Sequence, residues 1–214
     1  MYSKLLNRSR SFVEALSCVD IMTYQAWQIT SPGNLTLVNL SPIPQPSRKQ
    51  VLIRIHAAAF NYREILVIDH NPDYPVNAKA DLIPAADGAG EVEAAGPGSV
   101  WRKGDRVVIH PNSWMTGSDC QDYRLEETMG GGEWDGTLTQ YLVLDDSRVF
   151  RAPAGLTHIE ASTLFTAGAT AYNGLFYDEP KVGPGVTVLT QGTGGVSCYA
   201  IMVRRYTYRR GSQR

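Results

Sequence analysis

The chain has 214 residues, 43% of them hydrophobic, and a formal net charge of −1. That length accommodates one large or two small domains with a sizeable core, and the balanced charge lacks the basic excess that nucleic-acid binding requires. Cys18, Cys120 and Cys198 are too widely spaced for a disulfide framework or a CxxC metal site, and no apolar run reaches the ~18 residues that cross a bilayer. A cytoplasmic setting without nucleic-acid or membrane partners is expected.

Lys4, Arg8 and Arg10 with several serines suggest an organellar presequence, which Glu14 and Asp20 argue against. Residues 1–21 are read as an extension with no fold of its own. From Met22 the pattern changes to short alternating or β-branched runs: "TYQAWQIT", "LTLVNL", "QVLIRIHAAAF", "GAGEVEAAG", "DRVVIH" and "TQYLVL", each bounded by turn residues. In the third run Val51, Ile53 and Ile55 share one face, and Leu52, Arg54 and His56 the other. His56 is therefore expected as a strand residue on a partly exposed face, not as a ligand. Gly104 and Asp105 punctuate the next turn. This spacing predicts a compact, mostly antiparallel barrel over residues 22–150.

After "RAPAGL" the period changes. Thr157 followed by Glu160 is a capping-box pattern, and a helix is predicted beyond it. Gly168 and Gly174 each cost about 1 kcal/mol in a helix relative to Ala, so they mark a break or a close approach of backbone to a neighbour or ligand. "VGPG" then leads into a predicted strand, Val186–Thr190, and a turn containing Gly192, Gly194, Gly195 and Val196. In a dinucleotide fold the first glycine permits the turn and the second admits the pyrophosphate at a helix N-terminus. Gly192 and Gly194 suit those roles, with Ser197 in place of the third glycine.

Five ordered blocks then carry a family resemblance: "AAAFNYREIL", "IPAADGAGEVEAAGPGSVWRKGDRVV", "GTLTQYLVL", "LFTAGATAYNGLF" and "VLTQGTGGVS". From Met22 to about Ile201 the chain resembles the N-terminal two thirds of a medium-chain dehydrogenase/reductase, of the zinc-independent quinone oxidoreductase and enoyl-reductase-like kind. The resemblance implies an α/β family overall. Here it implies mainly a GroES-like β-barrel over residues 22–150, then a connecting helix and the first strand of an incomplete Rossmann domain over 151–201. It also implies NADP or NAD as cofactor, NADP favoured, a small-molecule substrate in the cleft between domains, and a homo-oligomer for full-length members. Thr170, with Gly168 beside it, would lie near the nicotinamide carboxamide, and Asn61 and Tyr62 would line the substrate cleft. The alternative for Thr170 is a threonine bonding back to a helix carbonyl; the role beside the cofactor is preferred.

Zinc-dependent relatives place a Cys where this chain has Asn61 and a His-Glu pair where it has Asp87-Gly88. His70, His110 and His158 show no ligand spacing, and no zinc is expected. Polarising a carbonyl would then fall to hydrogen-bond donors, for which Asn61, Tyr62 and Arg63 are the candidates. Alternatively Tyr62 packs in the barrel and Arg63 pairs with Glu64 or Asp87. Beyond Ile201, "MVRRYTYRRGSQR" holds five arginines and no helical stripe. Residues 202–214 are read as an aberrant basic tail after loss of the native frame, with most of the cofactor domain missing. The expected function is NAD(P)H-dependent hydride transfer to a quinone, activated alkene or small carbonyl compound, with little activity in this form. The alternative is a non-enzymatic binding module associating with full-length relatives through uncovered Val186, Val188, Leu189, Leu164 and Phe165.

Overall fold

The structure is a computed structural model that describes residues 22–112, 123–177 and 182–211, without the side chains of 206–211. Cys18 and Cys120, and the segment 1–21, lie outside the described residues. Strands β1 (Tyr24–Ser31) and β2 (Asn34–Leu40) form an antiparallel hairpin. Gly33 at its turn has φ 75°, a conformation that favours glycine. The long β3 (Gln50–Ala59) is followed by helix α1 (Tyr62–Ile68) and β4 (Asp87–Ala95). Then come β5 (Arg106–Ile109), β6 (Tyr141–Asp145) and β7 (Val149–Arg151). The larger sheet runs β6-β3-β4-β5-β7, every pair antiparallel.

The six expected strands are all present, but among the described residues they do not close into a barrel. The hairpin meets the large sheet through the Ala26–Thr139 bridge, with Trp27 and Ile29 N–H groups donating to Leu138 and Leu82 carbonyls. Isolated bonds of this kind do not continue a ladder, so the strand edges stay unjoined. One face of the sheet buries Val51, Ile53, Val92, Val107, Ile109, Met129, Leu144 and Val149 as the main core.

The C-terminal part is helical. Helix α2 (His158–Ser162) has the expected capping box: Glu160 N–H donates to Thr157 Oγ1 at 3.2 Å and Thr157 N–H to Glu160 Oε2 at 2.8 Å. A π-helical turn (Leu164–Ala169) then separates it from α3 (Thr170–Phe176). The break falls around Gly168, whereas Gly174 lies inside α3. Val186–Thr190, expected as a strand, pairs with no other strand among the described residues, and a β-branched run without a ladder partner has nothing to hold it as one. The basic segment expected outside any helix instead continues α4 (Gly195–Gly211). Tyr199, Ala200 and Val203 pack it on Ala171 and Leu175 of α3, and a helix so nucleated extends readily through Met and Arg. Among the described residues no helix is long and apolar enough to cross a membrane.

Candidate functional site

Two buried carboxylates organise the start of α1. Glu64, fully buried, accepts the Asn61 N–H at 2.7 Å and the Ala86 N–H at 3.2 Å. It forms an ion pair with Arg63, Nε to Oε1 2.9 Å, although that N–H is not aimed along a hydrogen-bond direction. The Arg63 Nη2 donates to the Met129 carbonyl at 2.6 Å. The guanidinium is thus committed to Glu64 and to the loop carrying Met129. Burial pushes the Glu64 carboxyl up, while Arg63 and the two backbone donors oppose that.

Asp87 opens β4 and is also buried. Its carboxylate accepts Asn61 Nδ2 at 3.1 Å, the Thr166 hydroxyl at 2.8 Å, and the Thr166 N–H at 3.2 Å from both oxygens. Burial raises its pKa against the pull of those donors and of Arg63. Asn61 therefore joins both carboxylates, by its backbone to one and its side chain to the other. Thr166 sits in the π-helical turn, 79 residues from Asp87 in sequence. Such turns recur at functional sites. Sequence reasoning named Glu64 as a partner for Arg63, as the structure has it, but missed Thr166, whose pairing leaves no periodic signal. Asn61 and Glu64 at N-cap spacing did offer a local sign of α1.

The other expected residues fall into two groups. Tyr62 is 74% exposed, not packed in the sheet, and Thr170 is exposed at the start of α3; neither joins the Asp87 network. The glycines do reach its back. A Cβ on Gly168 would lie 3.3 Å from the Tyr199 ring, and one on Gly195 would lie 3.0 Å from Ala167 Cβ. The close approach at Gly168 is therefore to a neighbouring helix, and α4 begins seated on the turn that carries Thr166. Gly192 has φ 79°, and neither Gly192 nor Gly194 has any atom within 4 Å of a would-be Cβ. With Val196 exposed beside them, they form an open turn before a 17-residue helix, a geometry that suits a pyrophosphate.

The positions where the resemblance places zinc ligands do not assemble a zinc donor set. Zinc takes thiolate, imidazole or carboxylate ligands, and Asn61, Asp87 and Gly88 supply one carboxylate whose oxygens already accept Asn61 and Thr166. A Cβ at Gly88 would lie 2.7 Å from Cγ2 of buried Thr137, which closes that position to a larger side chain. His56 lies in β3 on a partly exposed face, as expected, and the fold brings a second histidine to it. His56 and His158 converge on Glu91, at 4.0 Å from Oε2 and 3.5 Å from Oε1.

The larger sheet falls within a known domain: residues 47–154, half of the chain, match the alcohol dehydrogenase GroES-like domain, and the chain belongs to that family. A zinc-type alcohol dehydrogenase-like protein of Schizosaccharomyces pombe is 36% identical over 154 residues, covering 71% of this chain and 44% of its own length. An alcohol dehydrogenase of Rhizobium meliloti is 32% identical over 188 residues, covering 84% and 54%. A solved thermostable alcohol dehydrogenase from Pyrobaculum aerophilum matches with TM-score 0.73 at 26% identity, over 86% of this chain and 56% of its own. A solved NAD-dependent alcohol dehydrogenase matches with TM-score 0.72 at 28% identity, over 85% and 55%. The chain spans about half the length of the curated relatives it matches. The names support the medium-chain alcohol dehydrogenase assignment; they do not support the narrower zinc-independent quinone oxidoreductase subtype, nor the absence of zinc.

Proposed function

We propose that the protein carrying this sequence is an NAD(P)H-dependent oxidoreductase that transfers hydride between a nicotinamide and a small carbonyl compound, activated alkene or quinone, and acts as a homo-oligomer. The observation that carries this reading is the buried Asn61–Asp87–Thr166 node, joined through the π-helical turn to the glycine turn and α4. Gly192, Gly194, Gly195 and Val196 would hold the pyrophosphate, with Gly168 and Thr170 nearer the nicotinamide. When bound, the cofactor supplies or accepts the hydride. Asp87 holds the Asn61 amide in one orientation at the start of α1, and exposed Tyr62 next to it is free to donate its phenol to a substrate oxygen. Arg63, tied to Glu64 and Met129, fixes the start of α1 and does not meet developing charge.

Because Asp87 is saturated with donors, the reading includes catalysis without zinc. The test is NADPH and NADH oxidation by the protein isolated from cells, with a quinone, an enone and an aldehyde, before and after chelation. Turnover that survives chelation and is lost in Asp87→Ala supports the reading. Turnover restored only by zinc overturns the metal-free part, and no oxidation with any acceptor overturns the whole. For the 214-residue chain by itself little turnover is expected, since Val186–Thr190 has no sheet beneath the glycine turn among the described residues; tight, saturable NADPH binding would contradict this. A second reading, a binding module that associates with relatives, is favoured by Leu189 at 85% exposure.

A further inference from the structure

We infer that His56, Glu91 and His158 form a divalent transition-metal site, separate from the Asn61–Asp87 node. Strand β3 pairs Ile55 with Gly90 and Ala57 with Ala89, which leaves His56 as the extra residue of a β-bulge. A bulge re-aims the side chain it carries, and here it brings the His56 ring beside Glu91, whose own cross-strand partner is Arg54. His158 arrives from the other direction. It is the first residue of α2, held by the Thr157–Glu160 capping box and by Ala161 packed against Ala89 and Val108. Both histidines are held by regular structure: one at a bulge between paired residues of β3 and the other at a capped helix start.

The spacing favours ligands over partners. The Nε2–carboxylate distances of 3.5 and 4.0 Å are too long for good hydrogen bonds. They are close to the separation of about 3.4 Å between ligand atoms of a tetrahedral ion with bonds near 2.1 Å. All three residues offer a donor atom within 4.8 Å of the others. The rings stack with centroids 4.6 Å apart and planes 15° from parallel, so both edges face the same carboxylate. Two imidazoles and one carboxylate suit zinc and its first-row neighbours, with a remaining position for water. His56 also borders an open cleft lined by Met22, Ile43, Gln140 and Tyr141, which gives an entry path. Glu91 lies four residues along β4 from Asp87, about 13 Å at strand rise, so the ion would not replace the node.

The test is metal binding by the chelator-stripped protein, read by calorimetry with Zn²⁺ and by visible absorption with Co²⁺. One equivalent is expected to bind, with His56→Ala, Glu91→Gln and His158→Ala each weakening it by about tenfold or more, and with His70→Asn binding as the parent. Circular dichroism of each variant separates loss of the site from loss of the fold. Absence of saturable binding, or variants of native fold that bind like the parent, would overturn the proposal. This outcome is independent of NAD(P)H turnover, so it stands or falls apart from the oxidoreductase reading.

Discussion

Asp87 concentrates the consequences of the node in one side chain. In Asp87→Ala the Asn61 amide and the Thr166 N–H and hydroxyl lose their buried acceptor, and urea denaturation at neutral pH should show a loss of about 1–3 kcal/mol. The sign of the pH dependence also follows. Its carboxyl is raised in the fold by burial, so the native state holds its proton more tightly than the unfolded chain does. Stability from this group is therefore fully present below the ordinary carboxylate pKa and is lost as pH rises from there through the raised value. Asp87→Asn should lack that decline in a series of urea midpoints against pH. Asp87 was visible in the sequence only as a missing zinc ligand and a candidate partner of Arg63. What it does instead depends on Thr166, and no local pattern joins residues so far apart in the chain.

The strands were legible because alternation reports a half-buried sheet, and α2 because Thr157 and Glu160 announce a helix start. Thr157→Ala should cost about 1 kcal/mol of stability by chemical denaturation, and should weaken metal binding with it, since that cap holds His158. The bulge at His56 escaped notice because Ala57, Ala58 and Ala59 follow it, a run too uniform to show the change of face that an extra residue makes. At Val149–Arg151 the strand is too short to show a period. Gly88 and Gly90 lie within the run expected as a strand, and there Gly90 packs against the Arg54 carbonyl and Gly88 against the Thr137 side chain. Gly90→Ala is expected to be the more damaging of the two in thermal melts, because its Cβ would run into the Arg54 backbone more closely than a Cβ at Gly88 would meet Thr137. Overpacking of this sort costs about 1–3 kcal/mol.

For the molecule as a whole, the distribution of apolar surface decides behaviour in solution. Leu164 and Phe165, expected to be uncovered, pack beside Ala89 and Val108, and Val188 packs on α3 and α4. Leu189, Ile201 and Met202 remain open, with Val186 near them in sequence. Hydrophobic-dye fluorescence and concentration-dependent association are expected for this chain, and Leu189→Ser should reduce both. A clean monomer without dye binding would remove the support for the binding-module reading. The general class could be read from five short blocks, whereas sheet closure could not, because it turns on whether distant strand edges meet.

The double grip of Asn61 also bears on ancestry. Moving between this node and a zinc centre of the kind its relatives' names describe requires coordinated replacement at Asn61, Asp87 and Gly88, together with a smaller neighbour at Thr137. Any one replacement made alone leaves a buried donor or acceptor of the node short of a partner, or collides with Thr137. The substitutions are epistatic, each harmful until the others are present. A lineage that adopted the amide–carboxylate–threonine arrangement would thereby be held there by the ruggedness of the route back.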